Sequence, residues 1–425
     1  MRSIKRGPFE KRNIKVYGEN VSGQSVFLTR YILPQTPPPD IYDYKNPSSK
    51  NDNFAIEKAA RYVSLIPMVE DNQYFNGMPD LWCTSQEFLD IGAGDCEEHA
   101  ILLCNYFNFI DRHQGHGDYL ESYVVLGVGF PEGRTGYVMR RDKRSNHVEL
   151  WNPLRGEVFF FGREEQKEVI LGCLSVSAGF LMNRRANDAI CQLKSVGCVI
   201  GQDNVWANVQ EFDDPGLLNF NLDLASCWKP FLTKANRAKY FPGAQVLASE
   251  QIAELRYMRP MDKERADVIA IKIQNYITEQ FEHQRIHDNR MRTKWNNQME
   301  STLNSILAKL EMKRRKARQG AHHSTLRSEG VVDEDVQQQL LAIEAQINAN
   351  AKGMRSWGFP INVTFVNLPM LWEEVKNTKI HLVYEEDAEF SLYVYVEPYS
   401  HNVLSVWFYL LALTKNKALG AGNPF

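Results

Sequence analysis

Gly92-Ala93-Gly94-Asp95-Cys96-Glu97-Glu98-His99-Ala100 leads into the apolar run 101–109 and is the most chemical segment of the chain. Asp95 can cap a helix, and Glu98, three residues on, can reach back to it; this reciprocal pair predicts a helix that starts at Cys96. A thiol at the first helical position meets four unpaired backbone N–H groups and the positive end of the helix dipole, which favour a thiolate and can hold an oxyanion. Position alone is not enough. A free thiol has a pKa of about 8.5 and needs a cationic histidine or its equivalent beside it to work near neutral pH. Here Asp95, Glu97 and Glu98 crowd the sulfur with negative charge, which opposes ionisation.

Of the ten histidines, few can serve as that base. His99 lies on the same helix and cannot easily reach the front of the sulfur. His147 opens a strand ending in Trp151-Asn152-Pro153, and an offset of five puts His147 and Asn152 on opposite strand faces. A Cys96-His147-Asn152 triad is therefore geometrically poor. Cys96-x-x-His99 and His113-x-x-His116 have the spacing of metal-ligand pairs, but the first lies on an apolar helix and the second in a polar loop. No metal and no cofactor is expected.

Working outward, helices are expected at 55–64, 85–91 and 96–109, and strands at 122–128, 136–140, 147–151 and 157–161. Helices first and antiparallel strands after predict an α+β body over 54–245. Residues 14–32 read as two short strands around a Gly-Ser turn that need a neighbour, and LPQTPPPD (33–40) reads as an extended linker with a PQTP that could serve as an SH3-type ligand.

Residues 246–352 read as a helical arm, with the stripes Ile269, Ile273, Tyr276, Ile277 and Trp295, Met299, Leu303, Ile306, Leu307, Leu310 facing a core. The basic run Lys313, Arg314, Arg315, Lys316, Arg318 opens a loop expected to be disordered over about 313–332. It is a candidate patch for an acidic partner or a lipid headgroup. The segment 353–425 reads as a small α/β tail, with a helix at 369–378 and Phe390, Leu392, Val394 and Val396 on one strand face, packing on the earlier core.

Composition narrows the function classes. With 425 residues, 44% hydrophobic and 24% charged, the chain has room for two or three globular units. A net charge of -3 and a pI near 6.4 give no overall reason to expect nucleic acid or an anionic membrane as the main partner. Seven cysteines without a CxxC read as reduced cytosolic thiols, and no secretory signal or spanning segment is evident.

RYVSLIP (61–67), DLWCTSQEFLDIGAGDCEEHAILLCNYF (80–107), LWNP (150–153), VGCVIGQDNVWANVQ (196–210), GFP (358–360) and NVLSVWFYLL (402–411), with VYGENVSGQSVFLTRYI (16–32) upstream, resemble the C-terminal region of the coiled-coil and C2 domain-containing protein 2A family of the ciliary transition zone. The resemblance covers nearly the whole chain. It implies a papain/transglutaminase-like core with a helical arm and a small tail, acting in cilium assembly at the transition zone or basal body without catalysis. In that superfamily a Cys at a helix start is followed by a His and an Asp on successive strands. Cys96 matches the first, while the His position falls at Thr135 and the Asp position at Asn152.

By the same resemblance the partners are Meckel-syndrome and tectonic complex proteins, with no nucleic acid, no membrane-spanning segment, and indirect or weak membrane association. Residues 1–53 are read as the last strands of a C2-like β-sandwich plus the linker, so the chain is expected to be a short relative or an incomplete gene product. The competing reading is an active thiol peptidase or transamidase that uses Cys96.

Overall fold

The computed structural model describes residues 12–71, 80–161, 191–233, 235–236, 248–316, 334–351, 353–365 and 367–415. These fall into two compact units, one of the described residues within 12–161, 191–259 and 400–403 and the other of those within 260–399 and 404–415. Helices and sheets are both present, so the chain is α+β.

The first unit opens with strands β1 (Tyr17–Asn20) and β2 (Ser25–Phe27), which pair antiparallel. The neighbour they require is β3 (Leu81–Trp82), parallel to β1. Gly18 makes this possible, since a Cβ there would stand 2.6 Å from the Trp82 ring. Helices α1 (Ala55–Ser64), α2 (Ser85–Ile91) and α3 (Cys96–His113) follow. Thr84 and Glu87 cap α2 reciprocally, and Asp95 and Glu98 do the same for α3, as the D-x-x-E spacing predicts.

The main sheet of this unit has seven strands in the order β10-β9-β8-β4-β5-β6-β7. They are β4 (Leu120–Gly129), β5 (Gly133–Asp142), β6 (Val148–Asn152), β7 (Glu157–Phe161), β8 (Leu193–Ile200), β9 (Val205–Asn208) and β10 (Trp228–Pro230). Alternation assigns the two faces. Arg140 reaches Asp111 of α3 and Trp151 meets Phe107 of α3, so Gly136, Val138 and Arg140 of β5 and Glu149 and Trp151 of β6 face the helix. Tyr137, Met139, Val148 and Leu150 face a second core with Phe220, Leu222 and Trp228.

The proline-rich stretch is no free linker. Gln35, Thr36, Pro37 and Pro38 are buried. Proline leaves few backbone donors to satisfy, and those that remain find buried amides. Asn105 accepts from the Leu33 N–H and donates to the Tyr31 carbonyl and Gln35 Oε1, while Gln251 donates to the Tyr31 carbonyl and accepts from Gln35 Nε2 and the Ser85 N–H. An SH3-type ligand role is incompatible with that burial.

The second unit is a four-stranded sheet, β11-β13-β14-β12, with helices on both faces. Its elements in chain order are α4 (Lys263–Asn289), β11 (Lys294–Trp295), α5 (Glu300–Lys316), α6 (Glu334–Asn350), β12 (Arg355–Thr364), α7 (Leu368–Asn377), β13 (Glu389–Pro398) and β14 (Leu404–Thr414). The stripes at 273/277 and 303/306/307 do not make a separate arm. Ile273 and Ile277 join α7 and one face of β13 and β14, while Leu303, Ile306 and Leu307 join α6 and the opposite face. Such stripes need an apolar partner within reach, and the sheet supplies it.

The continuous apolar run of β14 has the same cause. Val406, Phe408, Leu410 and Ala412 serve one core, and Trp407, Tyr409, Leu411 and Leu413 the other. Among the described residues no helix is long and apolar enough to cross a membrane.

Candidate functional site

Cys96 is the first residue of α3 and is 7% exposed. Its Sγ donates to Glu97 Oε2 at 2.7 Å and lies 3.9 Å from the Arg134 carbonyl at the start of β5. Burial, and then the Glu97 and Asp95 carboxylates, hold the thiol well above its ordinary pKa; the backbone of Gly136 acts the other way. Glu97 and Glu98 are in turn pushed up by burial and by Asp95. The helix terminus is therefore spent on carboxylates: Asp95 accepts from the Glu97 N–H, and Glu98 accepts from the N–H groups of Cys83 and Asp95.

The structure does not bring Thr135 and Asn152 to Cys96, which corrects their assignment as degenerate triad positions. Gly136 is the residue that faces the helix start, and a Cβ there would stand 2.9 Å from the Cys96 carbonyl. Thr135, one residue earlier on β5, points to the other face of the sheet by alternation. Asn152 is on that same far face, where it donates to the Tyr137 hydroxyl at 3.0 Å. Gly136 is the residue that sequence reading missed. The signal was strand parity, which needs one firm contact between β5 and α3 to set its phase.

No histidine among the described residues bonds to Cys96. His147 stacks on Phe160, and its carbonyl accepts from the Asp142 N–H at the far end of β5, about 20 Å along the strand from Gly136 at roughly 3.3 Å per residue. His99 Nε2 meets the Ile66 carbonyl, away from the sulfur. His113 bonds the Tyr42 hydroxyl and stacks on Phe109, whereas His116 packs against Tyr119, so the two spaced pairs converge on no common point.

Oxygens of Asp71, Asp95 and Glu98 approach one another within 4.8 Å. Each accepts from a backbone N–H, of Leu81, Glu97, and Cys83 and Asp95 respectively, and burial raises both Asp71 and Glu98. Burial, not the backbone donors, is what favours a retained proton on Asp71 and Glu98. Of the basic run, Lys313–Lys316 form the end of α5 and not the start of a loop, and Arg318 with residues 317–332 lies outside the described residues.

One family model matches within each unit. Residues 80–231 match the family model of the CEP76 peptidase-like domain, and residues 263–415 match that of the centrosomal protein of 76 kDa C-terminal domain. Over 409 residues, 96% of its length, the chain is 29% identical to human Protein CC2D2B, of which it covers 24%. It is 24% identical over 407 residues to the coiled-coil and C2 domain-containing protein 2A of Drosophila melanogaster, covering 25% of it. To the human centrosomal protein of 76 kDa it is 25% identical over 192 residues, 44% of this chain and 25% of that one. The resemblance to the coiled-coil and C2 domain-containing protein 2A family is borne out, and the chain spans about a quarter of the length of these relatives.

Proposed function

We propose that the chain is a non-catalytic scaffold of the ciliary transition zone or basal body. In this reading the first unit is a degenerate transglutaminase-like, papain-type domain retained as a protein-binding body. The observation that carries it is the hydrogen bond from Cys96 to Glu97: the protonated thiol donates to a neighbouring carboxyl oxygen, and Gly136 occupies the place opposite, where a base would have to stand. A thiol held that way lacks both the low pKa and the general base that acyl transfer requires. Localisation to the cilium and a role in its assembly rest on the family resemblance, and Meckel-syndrome and tectonic complex proteins are the partners it suggests.

Proximity labelling by the tagged chain in ciliated cells tests the partner set. Cys96→Ala tests the non-catalytic reading: the variant is expected to support cilium assembly as well as the unaltered chain. A folded, correctly localised Cys96→Ala chain that fails to do so would return a thiol peptidase or transamidase to first place.

A further inference from the structure

We propose that His99 is held as an imidazolium, a buried cation that clamps the start of α3 to the segment after α1 and releases that clamp when it loses a proton. His99 is 0% exposed. Its Nδ1 lies 2.5 Å from the Asp95 carbonyl and its Nε2 lies 3.0 Å from the Ile66 carbonyl. A backbone carbonyl only accepts, and a neutral imidazole has a single N–H, so a neutral ring would set one bare nitrogen against an oxygen lone pair. Turning the ring over brings carbons to both oxygens, takes away the donor of the Ile66 carbonyl and leaves the Asp95 carbonyl only the long bond from the His99 backbone N–H.

Among the described residues the Ile66 carbonyl meets no other donor, while the Asp95 carbonyl also accepts from the His99 backbone N–H at 3.4 Å. From α2 comes the edge of the Phe88 ring, with centroids 4.8 Å apart, and from the segment after α1 the Ile66 carbonyl itself. The charged group acting on the ring is Asp95 of its own helix. Burial holds the pKa of His99 below its ordinary value, and the two carbonyls and Asp95 oppose that shift without reversing it. Geometry favours the charged form, because both contacts are at hydrogen-bond length and only the cation can make both.

The clamp continues an existing seam. The Gly94 N–H donates to the Pro67 carbonyl at 3.2 Å and the Val69 N–H donates to the Gly94 carbonyl at 2.9 Å, beside a parallel bridge between Met68 and Gly94. Loss of one His99 bond frees one end of this seam, at the turn that presents Cys96.

The test is a pH titration of the full chain with 15N-labelled histidine, reading the ring nitrogens by long-range 1H–15N correlation between about pH 5 and pH 8. Both His99 nitrogens are expected to be protonated at the acid end of that range, since burial moves the loss of the second proton below the ordinary imidazole value. As the ring deprotonates, amide exchange at Val69 and Gly94, corrected for its intrinsic pH dependence, should accelerate about tenfold. One bare nitrogen throughout the range in the folded chain would overturn the proposal, as would exchange that ignores the deprotonation. In His99→Phe, which keeps a ring against Phe88 without a donor, exchange at both amides should be fast and independent of pH beyond the intrinsic effect. Retained pH dependence in that variant would also overturn it.

Discussion

Cys96 Sγ lies 2.7 Å from Glu97 Oε2, so the thiol donates its proton to the side chain that follows it in the sequence. A carboxylate so close to a buried sulfur makes the thiolate a second negative charge in a poorly solvated place. Iodoacetamide should therefore modify Cys96 more slowly than a free thiol, with a rate that climbs only above the ordinary thiol range near pH 8.5. Glu97 is itself pushed up to about 8, so above that pH Glu97→Gln removes one of the charges and is expected to raise the rate several-fold while leaving it below that of a free cysteine, since burial persists. Mass spectrometry of the alkylated peptides checks both, and a Cys96 that outpaces the other thiols at neutral pH would contradict the reading.

Asn105 is the hub of the buried amide network that holds residues 31–35. Asn105→Ala orphans the Leu33 N–H and one contact of Gln35, at about 1–3 kcal/mol for each buried group left unsatisfied. The expected outcome is a lower denaturation midpoint, with early proteolytic cutting within 33–40. Unchanged resistance there would mean that the stretch is held by other contacts.

Local features of the fold were legible because their causes are local. The D-x-x-E spacing fixed the start of α3, and alternation marked β5 and β6, since caps and pleats act over a few residues. What stayed hidden depended on partners far along the chain. Thr135 and Gly136 are equally good candidates until Arg140 is seen on Asp111, and a one-residue error in phase moves a side chain to the other face. The proline stretch reads as a linker because Asn105 and Gln251, about 70 and 216 residues on from Gln35, are what bury it. Similarly, the β14 run reads as a single apolar block, and only its position at the centre of a sheet resolves it into two cores.

Arg140 joins Asp111 at 2.7 Å and Glu149 at 3.1 Å, linking α3, β5 and β6 through largely buried charges. Arg140→Met preserves much of the volume but leaves two acids facing each other, which should cost about 3–5 kcal/mol. Adding Asp111→Asn and Glu149→Gln should recover part of the loss, because neutral amides tolerate burial without a counter-charge. Urea unfolding of the single and triple variants measures this, and a single variant as stable as the unaltered chain would exclude a structural role for the triad.

Burial raises the Asp71 carboxyl from 3.8 to about 6, with Asp95 adding to the shift. The unfolded group loses its proton near 3.8 and the folded one near 6, so between those values the folded chain binds more protons. Stability from this group is therefore present at low pH and is lost as pH rises through that window. Asp71→Asn, whose amide oxygen can still accept from the Leu81 N–H, should be more stable than the unaltered chain at about pH 7.5, by on the order of 1 kcal/mol after screening. Near pH 4 the two should be alike. Equal urea midpoints at both pH values would show that Asp71 is ionised freely in the folded chain.

In the second unit Glu311 of α5 is 1% exposed and accepts from the Tyr399 hydroxyl, from Ser405 Oγ at 2.7 Å and from Trp407 Nε1 at 2.5 Å. Three donors converge on one carboxylate, so the side chain fixes how α5 sits on β14 and on the turn before it. Glu311→Ala orphans all three and opens a cavity, with an expected cost of about 3–5 kcal/mol. Glu311→Gln keeps the shape but turns one acceptor oxygen into a donor, which must then face a hydroxyl able to rotate or the indole N–H that cannot. Its cost should fall below that of Ala and above about 1 kcal/mol. Urea unfolding of the variants measures the loss, and a Gln variant indistinguishable from the unaltered chain would mean that the charge on Glu311 contributes nothing to this unit.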